Sequence, residues 1–501
     1  MGEHMGTTRR GLIMGLGAGV AAGAVGTHKI ENRTIPFGGN FPPGPSEGGT
    51  ILNDAGELSP TPVAKHVILD SNAEEETLVR LRAEFEEAKA ANRPLVAHAA
   101  RHTMGGQSLA NMGSAITLQQ SLVEPNVAGK TYRVAGGTRW RDVIATLDKI
   151  GFSPAVMQSN NDFGVASTYC VNAHGWPVPF SAGGTTVKEL KLLLASGELI
   201  TCSRQENPEI FSAAMGGYGL FGVITELELQ MVPNANLLPT YEVVAAEDFG
   251  KKFVEAITKD PSVQMAYGRM DVTIDSFFSE ALLITYRPAS DQSNISSAVG
   301  SGTMSHIARD IFRAQVNSDN WKEARWGFET RVNPMISRGV STRNSLMNEP
   351  VITLADGDDT RTDILHEYFV DAEQFGAFVQ ACREVIPSSF QQLLNITLRY
   401  VDTDRDSVLT YATSARVAAV MLFSQEKSVR AEADMARMTS ALIERVLAIG
   451  GSYYLPYRPH ATLEQFQRAY KRHAEFSDFK RKLDPGLLFR HNLWNQYISK
   501  A

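Results

Sequence analysis

The stretch 99–108, AARHTMGGQS, constrains this chain more than any other. A short apolar run, 94–97, precedes it and a second, 115–118, follows it, and both read as strands. Gly105 and Gly106 allow backbone angles and close approaches that a Cβ forbids. Consecutive backbone N–H groups in such a loop can form a concave nest for an anion, typically a phosphate. Thr103, Gln107 and Ser108 can add side-chain hydrogen bonds, and the ring nitrogen of His102 beside such a nest points to chemistry. Taken alone, the loop reads equally as a polar turn between two strands, because glycine-rich loops are common.

Two further stretches change that balance. Residues 163–175, FGVASTYCVNAHG, are dominated by small side chains, as needed where backbone packs against a flat ligand. Residues 197–225, GELITCSRQENPEIFSAAMGGYGLFGVIT, give a Gly turn, a strand, a short helix begun at Pro208, a Gly pair and a further strand. In this order and spacing the three stretches resemble the flavin-binding (PCMH-type) domain of the vanillyl-alcohol oxidase superfamily, near cytokinin dehydrogenases, alditol and aldonolactone oxidases, and decaprenylphosphoryl-ribose oxidases. The resemblance covers about residues 76–235, with a weaker echo toward the C-terminus.

The resemblance implies an α+β fold: a two-subdomain FAD-binding domain, and an α+β substrate or cap domain with a mixed or antiparallel sheet. It also implies FAD as the cofactor. The implied contacts are Ala99, Ala100, Arg101, His102, Thr103, Met104, Gln107 and Ser108 in the loop, then Val165, Ser167, Thr168, Asn172, His174 and Gly175. Val223, Ile224 and, near the C-terminus, Asn492 complete the set. His102 and Gln107 share the His-(x)4-Gln spacing of the cytokinin dehydrogenases, whose histidine holds the flavin covalently. This implies an 8α bond at His102, the alternative being a loop residue beside a non-covalent flavin. The surroundings of Cys170 do not match the cysteinyl attachment of berberine-bridge-type enzymes, and Cys170 reads as a packing residue.

Composition sets the outer limits. A chain of 501 residues, 43% hydrophobic and 21% charged, supports two or three domains with substantial cores. A net charge of −7 provides no footprint for nucleic acid. Three widely spaced cysteines argue against a disulfide framework or a zinc cluster. Thr8-Arg9-Arg10-Gly11-Leu12-Ile13-Met14, followed by a Gly- and Ala-rich run, reads as a twin-arginine export signal over residues 1–30, too short and glycine-rich for a transmembrane anchor. The expected location is the periplasm or the exterior.

Along the chain, residues 31–72 read as an irregular linker, 73–235 as the FAD-binding domain, 236–450 as the cap domain and 451–501 as a segment returning to the FAD domain. Helices are predicted over 73–91, 139–150, 251–258 and 431–449, and one from the Thr462/Gln465 capping box to Asp484-Pro485. Strands are predicted over 132–135, 190–194, 199–202, 224–231, 353–354, 365–370 and 395–401. The ending 481–489, with Arg481 where the family pattern has lysine, resembles a Lys-x-x-Asp-Pro-x-x-x-Phe motif.

Candidate catalytic residues are Arg399 and Glu367 on two of these strands, and Tyr454, Tyr457 and His460 before the C-terminal helix. The segment 172–175 resembles the Asp-Ile-His-Gly that lies along the flavin in the decaprenylphosphoryl-ribose oxidases. Each candidate has a plain structural reading: a surface arginine, a solvent-facing strand residue, a histidine in a turn. The resemblance implies oxidation of a small-molecule alcohol by hydride transfer to flavin N5, with His460 or Tyr457 as base and oxygen or another acceptor taking the electrons. Amine or C=C chemistry, and an exported electron-transfer partner of low turnover, stand as alternatives.

Overall fold

The computed structural model describes residues 50–299, 310, 312–336, 339–350 and 358–500. The export signal and the strand predicted at 353–354 lie outside them.

Three sheets organise the chain. The first is parallel, with Ser114–Leu118 between Lys65–Leu69 and Leu95–His98. The helix Glu74–Ala90 covers it, begun by Glu74, Glu75 and Glu76 at its positive end. The stripe Leu78, Leu81 and Phe85 packs with Val67, Ile116 and Leu118, and each fully buried side chain contributes about 1.5–3 kcal/mol. The C-terminal segment returns here. Leu95 N donates to Leu488 O at 2.8 Å, and Phe489 meets Phe85 edge to face.

The second sheet is antiparallel, with Val223–Pro233 between Val187–Leu193 and Thr131–Ala135. In Val223–Pro233, Leu227, Leu229 and Met231 are buried while Glu226 and Glu228 are more exposed, the alternation read from the sequence. The helices Trp140–Asp148 and Pro208–Ala214 stand where their patterns predict.

The third sheet has eight strands, all paired antiparallel. Its central members run in the order Glu280–Pro288, Met265–Met270, Gln392–Val401, Arg416–Glu426 and Arg361–Val370. The even residues of Arg361–Val370 face helices: His366 meets Thr439 on Val429–Ala448, and Tyr368 lies against Phe378 on Phe375–Val385. Its odd residues face the segments 99–108 and 172–175. Leu365 N–H lies on the sulfur of Met104, and Glu367 on His174. The sheet is further tied to that side by Val178 N–H on Gln264 O and by the bridge between Pro177 and Met265.

Several expectations are corrected. Residues 50–69, read as linker, hold the strands Thr50–Leu52, Thr61–Val63 and Lys65–Leu69. Among the described residues five strands between 236 and 450 went unread: Asn236–Ala245, Met265–Met270, Glu280–Pro288, Ser341–Thr342 and Arg416–Glu426. The helix opened by the Thr462/Gln465 capping box forms with both of its bonds but runs only Leu463–Ala469. Tyr470 leaves helical geometry because its buried hydroxyl reaches back to Tyr453 O, and a second helix begins at His473–Leu483. Among the described residues no helix is long and apolar enough to cross a membrane.

Candidate flavin and substrate site

The loop 99–108 works differently along its two halves. In the glycine half the protein supplies its own acceptors. Gly105 N–H donates to Gln107 Oε1 at 2.9 Å, and Gly106 N–H to Asp54 Oδ2 at 2.6 Å. A Cβ on Gly105 would stand 2.7 Å from Pro459 Cδ and 2.8 Å from Tyr457 O. On Gly106, which has φ +75°, it would meet the amide of Asn492. These glycines are required by protein packing, a correction to the reading that they admit a ligand.

The anion-binding half lies earlier. Among the described residues no acceptor meets the N–H groups of Ala100, Arg101, His102 and Thr103, and Arg101 adopts φ +52°. A left-handed residue within such a run turns successive N–H groups to one side, the geometry of an anion nest. A Cβ on Gly164 would stand 2.5 Å from Ala99 Cβ, so this half packs tightly on the helix Val165–Cys170. Arg139 leaves a buried Nη1 without a partner, and it acts electrostatically on both Arg101 and His102. Free N–H donors, a small-residue contact and an unpartnered guanidinium nitrogen fit the pyrophosphate of FAD.

His102 stacks on Phe163, ring centroids 4.1 Å apart. Burial pushes its proton affinity down and Arg139 adds to this, against the opposing pull of Asp162. The ring is therefore neutral at pH 7, and among the described residues neither nitrogen meets a hydrogen-bond partner.

Other loop side chains turn to the protein. Gln107 donates to Leu455 O and Tyr457 O, both at 2.8 Å, and so staples the loop to the C-terminal segment. Thr103 Oγ1 bonds Asp54 at 3.1 Å and Ser108 at 2.9 Å. Met104 lies on Pro456 and Leu365. Arg101 is anchored on Asn53 O and on His98. The hydroxyl of Thr168 is committed to Trp140, Gln158 and Gly164. Val165, Val223 and Ile224 are buried core residues, the last two paired with Leu193 and Leu192. Gly175 packs on Met157 O, and Ser167 is partly exposed beside Gly164. The side chains of Thr103, Met104, Gln107, Ser108 and Thr168, expected beside the cofactor, are each held by protein partners.

The segment after the helix leads to the second half of the site. Asn172, at φ +50°, ties down the turn by donating to Asp404 at 2.9 Å. His174 is buried, with Nε2 on Glu367 Oε1. The other oxygen of Glu367 accepts from Tyr457 OH at 3.3 Å. Arg399 donates from Nη2 to Ser159 Oγ, and its Nε is buried without a partner. Burial lowers the proton affinity of Arg399, while the nearby Glu367 carboxylate opposes the shift. Burial, reinforced by Glu367, pushes the Tyr457 phenol up.

Arg399, Glu367, Tyr454, Tyr457 and His174 thus converge, although they come from three separate parts of the chain. Two candidates take other roles. Tyr454 OH donates to Val171 O at 2.8 Å, so Tyr454 is a wall between Phe369 and Tyr457. His460 does not face this cluster. Its Nδ1 meets Thr439 at 3.2 Å and its Nε2 meets Glu432 at 2.9 Å. Burial alone would raise the Glu432 carboxyl, but His460 and Arg458 hold it well below the usual range. With both nitrogens engaged, His460 is corrected from candidate base to structural ion-pair partner.

Sequence reasoning missed Asp54, Ser159 and Phe163. Asp54 sits in the misread linker, where nothing local marks it. Phe163 opens a stretch already singled out, and an aromatic there next to Gly164 was an available signal.

Comparison with known proteins agrees with this geometry. Residues 75–203 match the family of FAD binding domains. The chain is 29% identical over 137 residues to a putative D-arabinono-1,4-lactone oxidase of Neurospora crassa, a match covering 27% of this chain and 24% of that protein. It is 29% identical over 209 residues to cytokinin dehydrogenase 2 of Arabidopsis thaliana, covering 40% of each. The matched stretches thus span well under two thirds of these relatives. In fold the chain is similar to 6-hydroxy-D-nicotine oxidase of Arthrobacter nicotinovorans, at TM-score 0.58 and 16% identity, over 85% of this chain and 91% of that one. Residues 75–203 are thus an FAD binding domain, and the chain that carries them shares its fold with 6-hydroxy-D-nicotine oxidase.

Proposed function

We propose that this protein is an exported oxidoreductase that oxidises the CH–OH group of a small-molecule alcohol. The observation that carries the reading is the buried chain His174–Glu367–Tyr457, set where the cap sheet meets the flavin-binding side. FAD bound in the 99–103 nest supplies the two-electron oxidation.

The chain's own residues handle the proton and the charge. His174 and Glu367 are buried and Tyr457 is half-buried, so Tyr457 is the end of the chain that a substrate hydroxyl can reach. Tyr457 oxygen accepts the substrate's proton as its own phenolic proton passes to Glu367, a relay that keeps charge off the high-affinity phenol. His174 holds the Glu367 carboxylate in place through its other oxygen. Arg399, fixed by Ser159, stabilises negative charge developing on substrate oxygen.

His102 carries the flavin covalently in this reading. The supporting observations are its neutral, unpartnered ring and its position at the free N–H run. Export rests on Arg9-Arg10 and the run that follows. Oxygen or another acceptor takes the electrons onward.

Anaerobic mixing of the yellow holoprotein with a panel of polyols, sugars, lactones, phenols and amines tests the function. Bleaching of the flavin band by an alcohol is the expected result. Bleaching by amines alone would move the reading to amine oxidation.

A further inference from the structure

The flavin-facing side of the cap sheet carries two guanidiniums that form no ion pair among the described residues. Glu367, Val420, Thr397 and Arg269 form one row across four neighbouring strands. Arg399 lies two residues beyond Thr397, diagonal to Arg269, at a spacing that long side chains bridge. Arg325 reaches the same face through Asn395 Oδ1 at 2.8 Å. Three guanidiniums therefore gather here.

Three carboxylates share this face: Glu280, two residues from the Leu282 that opposes Arg269, is exposed and accepts from Trp326, and the other two are committed. Glu329 pairs with Arg325 at 2.9 Å. Glu367 is held by His174 and Tyr457. Among the described residues neither Arg269 nor Arg399 forms an ion pair. Arg269 donates to the Thr397 hydroxyl and Arg399 to the Ser159 hydroxyl, both neutral. Arg399 also keeps its buried Nε unpartnered. Like charges on one sheet face repel, and neither of these two guanidiniums has a carboxylate partner. A hydroxyl group on a substrate does not neutralise a guanidinium, whereas a carboxylate does.

We propose that the substrate is a hydroxy acid whose carboxylate is held by Arg399 and Arg269, on the reading that this face is the substrate site of an alcohol oxidation. Guanidinium forks match carboxylate oxygens in charge and plane, which a neutral polyol cannot exploit. Arg399 acts electrostatically on both Glu367 and Tyr457, so a carboxylate bound there brings the hydroxyl on the adjoining carbon toward Tyr457. The aromatic group of Trp176, Tyr267 and Tyr286 lies beside Arg269 on the same face.

Binding tests this separately from turnover. The holoprotein is titrated with lactate, mandelate and gluconate and with their primary amides, followed by melting temperature and by the flavin absorption spectrum. At least one acid is expected to bind about tenfold or more tighter than its amide, and Arg269→Gln and Arg399→Gln each to weaken that acid by about tenfold. The acid-to-amide comparison needs no variant, so it stands even if one fails to fold. Binding of no acid in the panel, equal binding of acid and amide, or wild-type acid affinity in both glutamine variants would overturn the proposal. So would a changed flavin spectrum in Arg269→Gln with acid affinity intact, which would assign Arg269 to the flavin. An acid that binds without bleaching the flavin supports the carboxylate site and sinks the oxidation reading. A neutral alcohol that bleaches the flavin while no acid binds does the reverse.

Discussion

Tyr457 donates its phenolic O–H to Glu367 at 3.3 Å, while the second oxygen of the same carboxylate holds the ring of His174. One buried acid thus links the C-terminal segment, the cap sheet and the flavin-binding side. Only the tyrosine end of that chain is partly open.

Glu367→Gln should lower the rate of flavin reduction by about 10²-fold or more with FAD still bound, because the amide cannot take the relayed proton. Glutamine is the right probe, since removing one partner of a buried charged pair altogether costs about 3–5 kcal/mol and confuses folding with chemistry. Anaerobic stopped-flow measures the rate. Reduction at the wild-type rate would make Glu367 a structural acid.

His102→Ala should bind FAD through the 100–103 N–H run yet release it on acid precipitation, whereas wild-type protein keeps its yellow colour in the pellet. A tryptic peptide containing His102 should carry the mass of FAD. Flavin recovered wholly in the acid supernatant of the wild type excludes the bond.

Asp54 predicts a pH effect on stability. Burial, outweighing the bonds from Gly106 and Thr103, raises its carboxyl from 3.8 to about 6. The folded state therefore binds this proton more tightly than the unfolded chain does. The stability it contributes is full below about pH 4 and is lost as pH rises through about 6, amounting to about 3 kcal/mol from the linkage of 1.36 kcal/mol per unit. Asp54→Asn keeps an acceptor for Gly106 N–H and removes the titration. Melting temperatures at pH 5 and 7 should show the variant gaining on the wild type at the higher pH. Parallel pH profiles for the two proteins would contradict this origin.

Arg9→Lys with Arg10→Lys should hold the protein in the cytoplasm, because the arginine pair is what the twin-arginine translocase reads. Cell fractionation and flavin fluorescence locate it. Unaltered delivery to the periplasm would assign another role to the first 30 residues.

The sequence by itself determined the flavin-binding half of this protein. Local pattern sufficed there: the stripe Leu78, Leu81 and Phe85, the alternation from Leu227 to Met231 and the Thr462/Gln465 box each write their structure into adjacent positions. The loop 99–108 and the small-residue stretch 163–175 were visible for the same reason, since close backbone approach demands small side chains in sequence. Only the tertiary structure decided which groups are free to act. His460 and Tyr457 lie three residues apart, yet one is bound on both nitrogens by Thr439 and Glu432 while the other donates to Glu367 and stays partly exposed. The Gly105-Gly106 pair looked like the nest until Asp54, some 50 residues upstream, proved to fill it. Glu280–Pro288 and Arg416–Glu426 also stayed unread, because strands covered on both faces lose the alternation that identifies them. Hydrogen-bond satisfaction is settled by partners distant in the chain, and no local pattern records which donor finds its acceptor and which is left for a ligand.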